Sequence, residues 1–372
     1  MQPDLIESFR NPEHIKALAA LIKKECKTKL NVMEVCGGHT HTIMKFGLPQ
    51  ILPDLIEFIH GPGCPVCIMP KERIDHAIAL ASMDNTILAT LGDMIRVPGS
   101  KTSLQKLRAE GKDIRSLYSP LDVIKIAKEN PDKKVVFFAI GFETTTPMTS
   151  VLIDEALKAD LKNLYFHINH VSVPEPIDAI MSSGDSRIHA FLGPSHVSVI
   201  TGYGIFEPIV EQYKTPIVVA GFEPVDVMEA LLMLVRQVNN GEQKVENQYK
   251  RAVSKEGNVK AQNLINRYMK KRNHFRWRGI GDIANSALKL RDEFSHLDAE
   301  VAFDEILPKG KIDDHKLCIC GDILKGNAKP FDCKVFGKAC VPSNPMGSCM
   351  VSSEGACAAY YKYGKFTGKG MK

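Results

Sequence analysis

Between residues 30 and 230 short apolar runs alternate with stretches of helical length and period, and that alternation leaves a chain few ways to fold. Candidate strands fall at 31–35, 55–60, 86–91, 135–140, 164–168, 190–192 and 217–220. Candidate helices fall at 71–82, 120–129, 149–159 and 224–239. Strands separated by single helices build βαβ units with parallel sheets. At 372 residues the chain is also longer than one core usually holds. The expected fold class is therefore α/β: two small parallel-sheet α/β domains flanking a cleft, plus a small cysteine-rich domain. Expected boundaries are 1–118 for the first α/β domain with an N-terminal helix, 119–300 for the second with a helical extension, and 301–372 for the cysteine-rich domain. The extension, 237–273, reads as polar and largely helical with a break at Gly241. Two short echoes fall inside the expected second unit. Gly141-Phe142-Glu143-Thr144 matches Gly221-Phe222-Glu223-Pro224, and Asn169-His170-Val171-Ser172-Val173 matches Ser195-His196-Val197-Ser198-Val199. They mark either a duplication or two similar strand ends within one sheet.

Composition removes several classes of function. The content is 44% hydrophobic and 24% charged, that of a globular protein, and the net charge of +5 is spread along the chain. One basic run, Lys270, Lys271, Arg272, Arg276 and Arg278 around Trp277, reads as a solvated helix end rather than a nucleic-acid stripe. Residues 1–29 form an amphipathic helical pattern without the apolar stretch of a signal peptide. Apolar runs such as 135–140 are too short to cross a bilayer. The expectation is a cytoplasmic protein with neither nucleic acid nor membrane as partner. Structural disulfides are rare in that compartment, so ten cysteines call for metal binding or redox chemistry.

Six of the ten lie close together: Cys318, Cys320, Cys333, Cys340, Cys349 and Cys357. The segment has few large apolar residues, so its core needs a cross-link, and a metal is the natural one. Zinc sites favour paired ligands at CxxC or CxxxxC spacing. Here a CxC is followed by gaps of 12, 6, 8 and 7 residues, which suits an iron–sulfur cluster bound by four thiolates. Alternate residues of an extended chain point apart, so the CxC pair does not place both sulfurs on one cluster. The ligand set expected is Cys320, Cys333, Cys340 and Cys357, with Cys318 and Cys349 left as a possible redox pair. The spacing also admits other divisions.

Three loops at predicted strand ends carry reactive groups, and the carboxyl ends of strands are where open α/β sheets bind ligands. In Val35-Cys36-Gly37-Gly38-His39-Thr40-His41-Thr42 the paired glycines let backbone approach a ligand. A following helix N-terminus is expected to lower the Cys36 thiol pKa. His39 and His41 read as proton carriers or as caps of that helix. Gly61-Pro62-Gly63-Cys64-Pro65-Val66-Cys67 holds a CxxC, the spacing of thiol–disulfide exchange, with Cys67 expected near the start of a helix opening at Pro70. Ala139-Ile140-Gly141-Phe142-Glu143-Thr144-Thr145-Thr146-Pro147 holds a carboxylate, Glu143, suited to acid–base work, and threonines suited to capping. Asp93, His167, Asn169, His170, Ser195 and His196 end other predicted strands. Ser195 and His196 lack the elbow a hydrolase nucleophile requires. No phosphate loop or dinucleotide fingerprint is present.

Cys36-Gly37-Gly38-His39-Thr40-His41, Gly61-Pro62-Gly63-Cys64-Pro65-Val66-Cys67, Gly141-Phe142-Glu143-Thr144-Thr145 and Met350-Val351-Ser352-Ser353-Glu354-Gly355-Ala356-Cys357 together resemble the signature of the HypD family of NiFe-hydrogenase maturation factors. The resemblance spans nearly the whole chain. It implies an assembly scaffold with redox activity on which iron acquires two cyanides and one carbonyl, Fe(CN)2(CO). The implied partners are HypC, which shares the iron, and HypE, which delivers cyanide from a C-terminal thiocyanate. Carried onto these motifs, Cys36 ligates the iron of Fe(CN)2(CO). Cys64 and Cys67 form the exchange pair, His39 and Glu143 support them, and a 4Fe–4S cluster supplies electrons. The alternative use of the same residues is an iron–sulfur-dependent thiol–disulfide oxidoreductase acting on a protein disulfide.

Overall fold

The computed structural model describes residues 5–184 and 186–364. The expectations for residues 1–4 and 365–372 lie outside the described residues. Nine strands build two parallel sheets: β1 (Leu30–Glu34), β2 (Ile56–His60), β3 (Thr86–Leu91), β4 (Asp113–Leu117), β5 (Lys134–Gly141), β6 (Leu164–His170), β7 (Ala190–Pro194), β8 (Ile217–Ala220) and β9 (Val245–Asn247). The first sheet has the order β2-β1-β7-β8-β9 and the second β4-β3-β5-β6, with every neighbouring pair parallel. All seven expected strands are present. The two the pattern missed, β4 and β9, are edge strands. β4 carries Asp113 and Arg115, which pair with each other, and charged residues are tolerated where one side of a strand faces solvent.

Sheet membership does not follow the expected division at 118/119. The chain leaves the first sheet after β2, builds the whole second sheet, and returns for β7, β8 and β9. Apolar periodicity marks a strand but carries no information about its neighbour, which is why this return is invisible in the sequence. It also reassigns the two echoes. Gly141 and His170 end strands of the second sheet, whereas Gly221 and His196 follow strands of the first, so each echo relates one sheet to the other.

Strand residues alternate between two cores, as expected of sheets covered on both faces. Val136, Phe138 and Ile140 of β5 join a core shared with Met33 and Val35 from the first sheet, while Val135, Phe137 and Ala139 face a separate core behind the second. Leu30 and Val32 of β1 face a third, behind the first sheet, against the helix Pro224–Asn240. The helix Pro12–Glu25, capped by Asn11 accepting from the Glu13 and His14 amides, packs there too and is clamped by Arg236 on Glu25.

The segment 237–273 is less helical than expected. Gly241 ends the long helix at φ 67°, β9 follows, and a helix resumes only at Val259–Tyr268. The basic run then forms strands: β10 (Met269–Lys271) pairs with β13 (Leu288–Leu290), and β11 (His274–Trp277) with β12 (Gly281–Ala284). Each of its five cations has an acidic partner: Asp292, Glu175, Glu300, Asp313 and Asp314 in turn. Trp277 is fully buried and donates to Ser286 Oγ at 2.8 Å. Among the described residues no helix is long and apolar enough to cross a membrane.

Candidate functional site

In an open parallel sheet the ligand crevice opens where the strand order reverses. The first sheet reverses between β1 and β7, and the loops leaving those strands carry Cys36 and His196. The second reverses between β3 and β5, whose loops carry Asp93 and Glu143.

Cys36 is buried at the N-cap of the helix Gly37–Lys45, where its sulfur accepts from the Gly38 amide at 3.4 Å. His196 stands over it, Nδ1 3.6 Å and Nε2 3.8 Å from Sγ. The expected low thiol pKa is not found. Burial pushes the Cys36 thiol well up, the Glu354 and Glu34 carboxylates add to the rise, and the helix-end amides recover only part of it. The thiol is therefore protonated until something replaces the proton.

Beneath the loop lies a buried network that sequence reasoning missed. Glu34 accepts from the Cys36 amide at 3.1 Å and from the Thr40 hydroxyl, and it meets His60 Nδ1 at 2.6 Å. His60 Nε2 in turn lies 3.1 Å from the Tyr360 hydroxyl, near the chain's end. A signal existed: a carboxylate inside an apolar strand, in register with the terminal histidine of the next.

His39 is engaged with the loop that follows β8. Its Nε2 faces two acceptors, the Gly221 and Ala220 carbonyls at 3.0 and 3.2 Å, so that nitrogen carries the hydrogen and the ring locks one loop of the first sheet to another. His41 stacks edge-on against Tyr363, and neither histidine caps the helix; Cys36 does.

Cys64 caps the short helix Pro65–Ile68 and accepts from the Cys67 amide at 3.3 Å. Cys67 is thus inside its own helix and buried, and burial with the adjacent Cys64 pushes its thiol well up. The loop holding Cys64 lies directly on Cys36. Gly37 N–H donates to Gly63 O at 3.1 Å, and a Cβ on Gly63 would fall 2.2 Å from the Cys36 nitrogen.

The C-terminal segment then closes over both loops. Ser348 Oγ donates to Cys67 O at 2.7 Å, and Arg96, from the second sheet, donates to Val351 O at 3.0 Å. Glu354 rests against Gly37, where any Cβ would meet Glu354 Cβ at 2.3 Å. Lone cysteine, dithiol and tail are brought together at one place.

All six tail cysteines line one cavity, walled otherwise by apolar groups such as Ile323, Val335 and Met350. Their grouping departs from the expectation. Cys320 and Cys349 are joined as a disulfide, leaving Cys318, Cys333, Cys340 and Cys357 as free thiols. Cys357, which burial pushes up, feels the charges of the other three. Cys318 and Cys320 thus exchange places. The two sulfurs of the CxC differ in state, Cys320 paired with Cys349 and Cys318 free.

Glu143 accepts from the Val173 amide at 2.9 Å, a bond within its own sheet rather than to the cysteine loops. Its second oxygen is buried without a partner, and burial lifts its carboxyl to about 8. Thr145 occupies the N-cap of the next helix but donates back to Phe142 O rather than capping. Ser195 lies buried at the start of the helix Ser195–Thr201. His76, His167 and Glu300 bring ligand atoms within 4.8 Å of one another. Arg73 and Arg272 both pair with that carboxylate, and two guanidiniums there repel a cation. The group is a lock between β6 and the helix Lys71–Ser82.

His39 and His170 are buried, and burial lowers each to about 4. The unfolded chain takes up these protons near pH 6.5 and the folded one does not, so stability is present above that pH and lost on acidification toward 4. Each contributes about 1.4 kcal/mol per pH unit inside that window. In denaturant unfolding between pH 6.5 and 4.5, His170→Gln should show a slope shallower than wild type by about that amount. Parallel slopes would mean that His170 titrates alike in both states.

Fold and site define an α/β protein whose two parallel sheets present a buried thiol and a dithiol to a six-cysteine C-terminal domain. The chain belongs to the HypD family: the family model described as "Hydrogenase formation hypA family" matches residues 13–364. Hydrogenase maturation factor HypD of Azotobacter vinelandii is 50% identical over 368 residues, 97% of each chain. That of Cupriavidus necator is 48% identical over 370 residues, again 97% of each. The Escherichia coli protein is 43% identical over 365 residues, 96% of this chain and 97% of its own.

Proposed function

We propose that this chain works in hydrogenase maturation as the scaffold on which Fe(CN)2(CO) is assembled, with Cys36 holding the iron and Cys64 and Cys67 supplying electrons. The curated relatives are maturation factors by name. The finer reading is carried by one observation, the convergence of Cys36, the CxxC helix and the tail where the sheets' carboxyl edges meet.

Low-spin ferrous iron carrying cyanide and carbonyl is soft, and thiolate is a fitting anchor. Cys36 must lose its proton when iron binds, and His196, 3.6 Å away, is placed to relay it onward, since burial keeps the ring from holding a proton. A protein thiocyanate R–S–CN gives up cyanide in two balanced steps. The Cys64 or Cys67 thiol attacks its sulfur, releasing HCN and leaving a mixed disulfide; the other thiol then frees R–SH and closes Cys64–Cys67. Two electrons pass from the dithiol, so an external donor must restore it. HypE is the proposed bearer of the thiocyanate and HypC the partner sharing the iron.

The tail fits a 4Fe–4S cluster by its donor set: Cys318, Cys333, Cys340 and Cys357 are four free thiols around an apolar cavity with no carboxylate or imidazole in its lining. Bound there, the cluster supplies single electrons beside Cys320–Cys349. That pair shares its core with Cys64 and Cys67, which is a path for restoring the dithiol.

The test is infrared spectroscopy on protein purified without oxygen after co-expression with HypC, with iron counted on the same sample. Cyanide and carbonyl bands with iron beyond a cluster's content are expected. Cluster iron without bands would turn the reading to a thiol–disulfide oxidoreductase. Cys64→Ser and Cys67→Ser should each keep the cluster's visible spectrum and stop maturation. Normal maturation in either removes the dithiol from the mechanism.

A further inference from the structure

We propose that Arg278 sets the reduction potential of the centre held by Cys318, Cys333, Cys340 and Cys357, an inference that rests on the cluster reading above. Arg278 is wedged between the CxxC helix and the start of the cysteine-rich segment. Its amide donates to Ile68 O, the last residue of that helix, at 2.8 Å. The next residue, Gly279 (φ +74°), lies so close to the turn after Cys320 that a Cβ on it would fall 2.3 Å from Gly321 Cα. The Arg278 side chain is only 1% exposed.

A guanidinium cannot shed its charge, so burying one is costly unless it is answered. Asp314, four residues before Cys318, answers in part, with an ion pair at 2.5 Å. That carboxylate is itself 24% exposed, and none of the three guanidinium nitrogens makes a well-formed hydrogen bond. Unquenched positive charge is therefore left inside the protein beside the start of the cysteine-rich segment, fixed there by the Gly279–Gly321 contact on one side and by Asp314 on the other. A set of thiolates with bound iron is the one strongly negative group this neighbourhood is built to receive. Each electron that centre accepts adds negative charge, and a fixed cation in a water-poor interior stabilises the reduced form more than the oxidised. Asp314 acts in the opposite sense. Arg278 is thus a positioning residue of charge, acting on the centre without ligating it, and it suits the site to a one-electron donor of moderate rather than extreme reducing power.

The opposed signs make the test. Full-length protein is purified without oxygen, its iron and sulfide are counted, and the cluster is titrated with dithionite while the reduced form is read by electron paramagnetic resonance. Arg278→Gln should move the midpoint to more negative potential. At the wild-type midpoint its reduced-to-oxidised ratio should fall about tenfold, or 59 mV for one electron. Arg278→Lys, which keeps the charge, should stay near wild type. Asp314→Asn should move the midpoint the other way. If Arg278→Gln retains no cluster, the direction of Asp314→Asn decides alone. A midpoint unmoved in Asp314→Asn, or unmoved in an Arg278→Gln variant that holds its cluster, overturns the inference. Wild-type protein without iron and sulfide would instead overturn the cluster reading, and this inference with it.

Discussion

Cys36→Ala is expected to lower hydrogenase maturation by about two orders of magnitude or more, since even the partners that merely orient a metal's ligands are worth 10–100-fold. Cys36 is the thiol at the first sheet's switch point, held by the Glu34 acceptor, the Gly38 amide and the Gly63 contact, none of which needs its sulfur except the second. Removing Sγ leaves a void the size of one atom, so the loop and both sheets should persist. The variant should therefore keep its tail absorption and its solubility while the cyanide and carbonyl bands vanish. Cys36→Ser keeps the volume but offers a hard oxygen in place of a soft sulfur, and it should fail nearly as completely. The measurement is hydrogenase activity in a strain lacking its own homologue, complemented with each variant, alongside infrared spectra of the purified protein. Maturation above a tenth of wild type in Cys36→Ala would mean that the iron has another anchor.

How far the site was legible follows from what each signal encodes. Strand positions came through because parallel strands buried on both faces read as short continuous apolar runs, as in Val135 to Ile140. The reactive loops came through with them, since Cys36, Cys64 and Glu143 each follow such a run. What failed depends on distance along the chain. Nothing in residues 190–220 announces that they return to pair beside β1, so His196 could not be set against Cys36, 160 residues earlier. The expected low thiol pKa at Cys36 weighed a helix end, which sequence shows, and omitted burial and Glu354, which it does not. The tail's small apolar content is visible in the sequence and was the ground for expecting a cross-link, and the structure draws its six cysteines around one cavity. Which sulfur meets which was settled by a turn of backbone, and that turn has no compositional trace.

The division of the CxC pair gives the second large effect. Cys318→Ala should lose the cluster's visible absorption and its iron almost entirely, while Cys320→Ala should keep both. The two residues are two positions apart, of the same type and in the same cavity, so unequal outcomes can come only from geometry. Cys320 starts the helix Cys320–Leu324, which turns its sulfur to Cys349. Cys318 lies before that helix and on the same side as Cys333, whose sulfur reaches Leu317 O at 3.8 Å. Cys318→Ala leaves three thiolates where the cluster takes four, and the iron left without a thiolate is the first to be lost, so the intact cluster should not survive purification. Cys320→Ala should show a different defect. Its pair closes a loop at a sequence separation of 29, so the oxidised protein should lose about 3–4 kcal/mol of stability on the chain-entropy view, a deficit that a reductant erases by bringing wild type down to the variant. Electron delivery to Cys64 and Cys67 should also stall, leaving a loaded cluster and no maturation. Iron and sulfide counts on the two variants, purified side by side without oxygen, decide the matter. A full cluster in Cys318→Ala with none in Cys320→Ala would restore the assignment first read from the sequence.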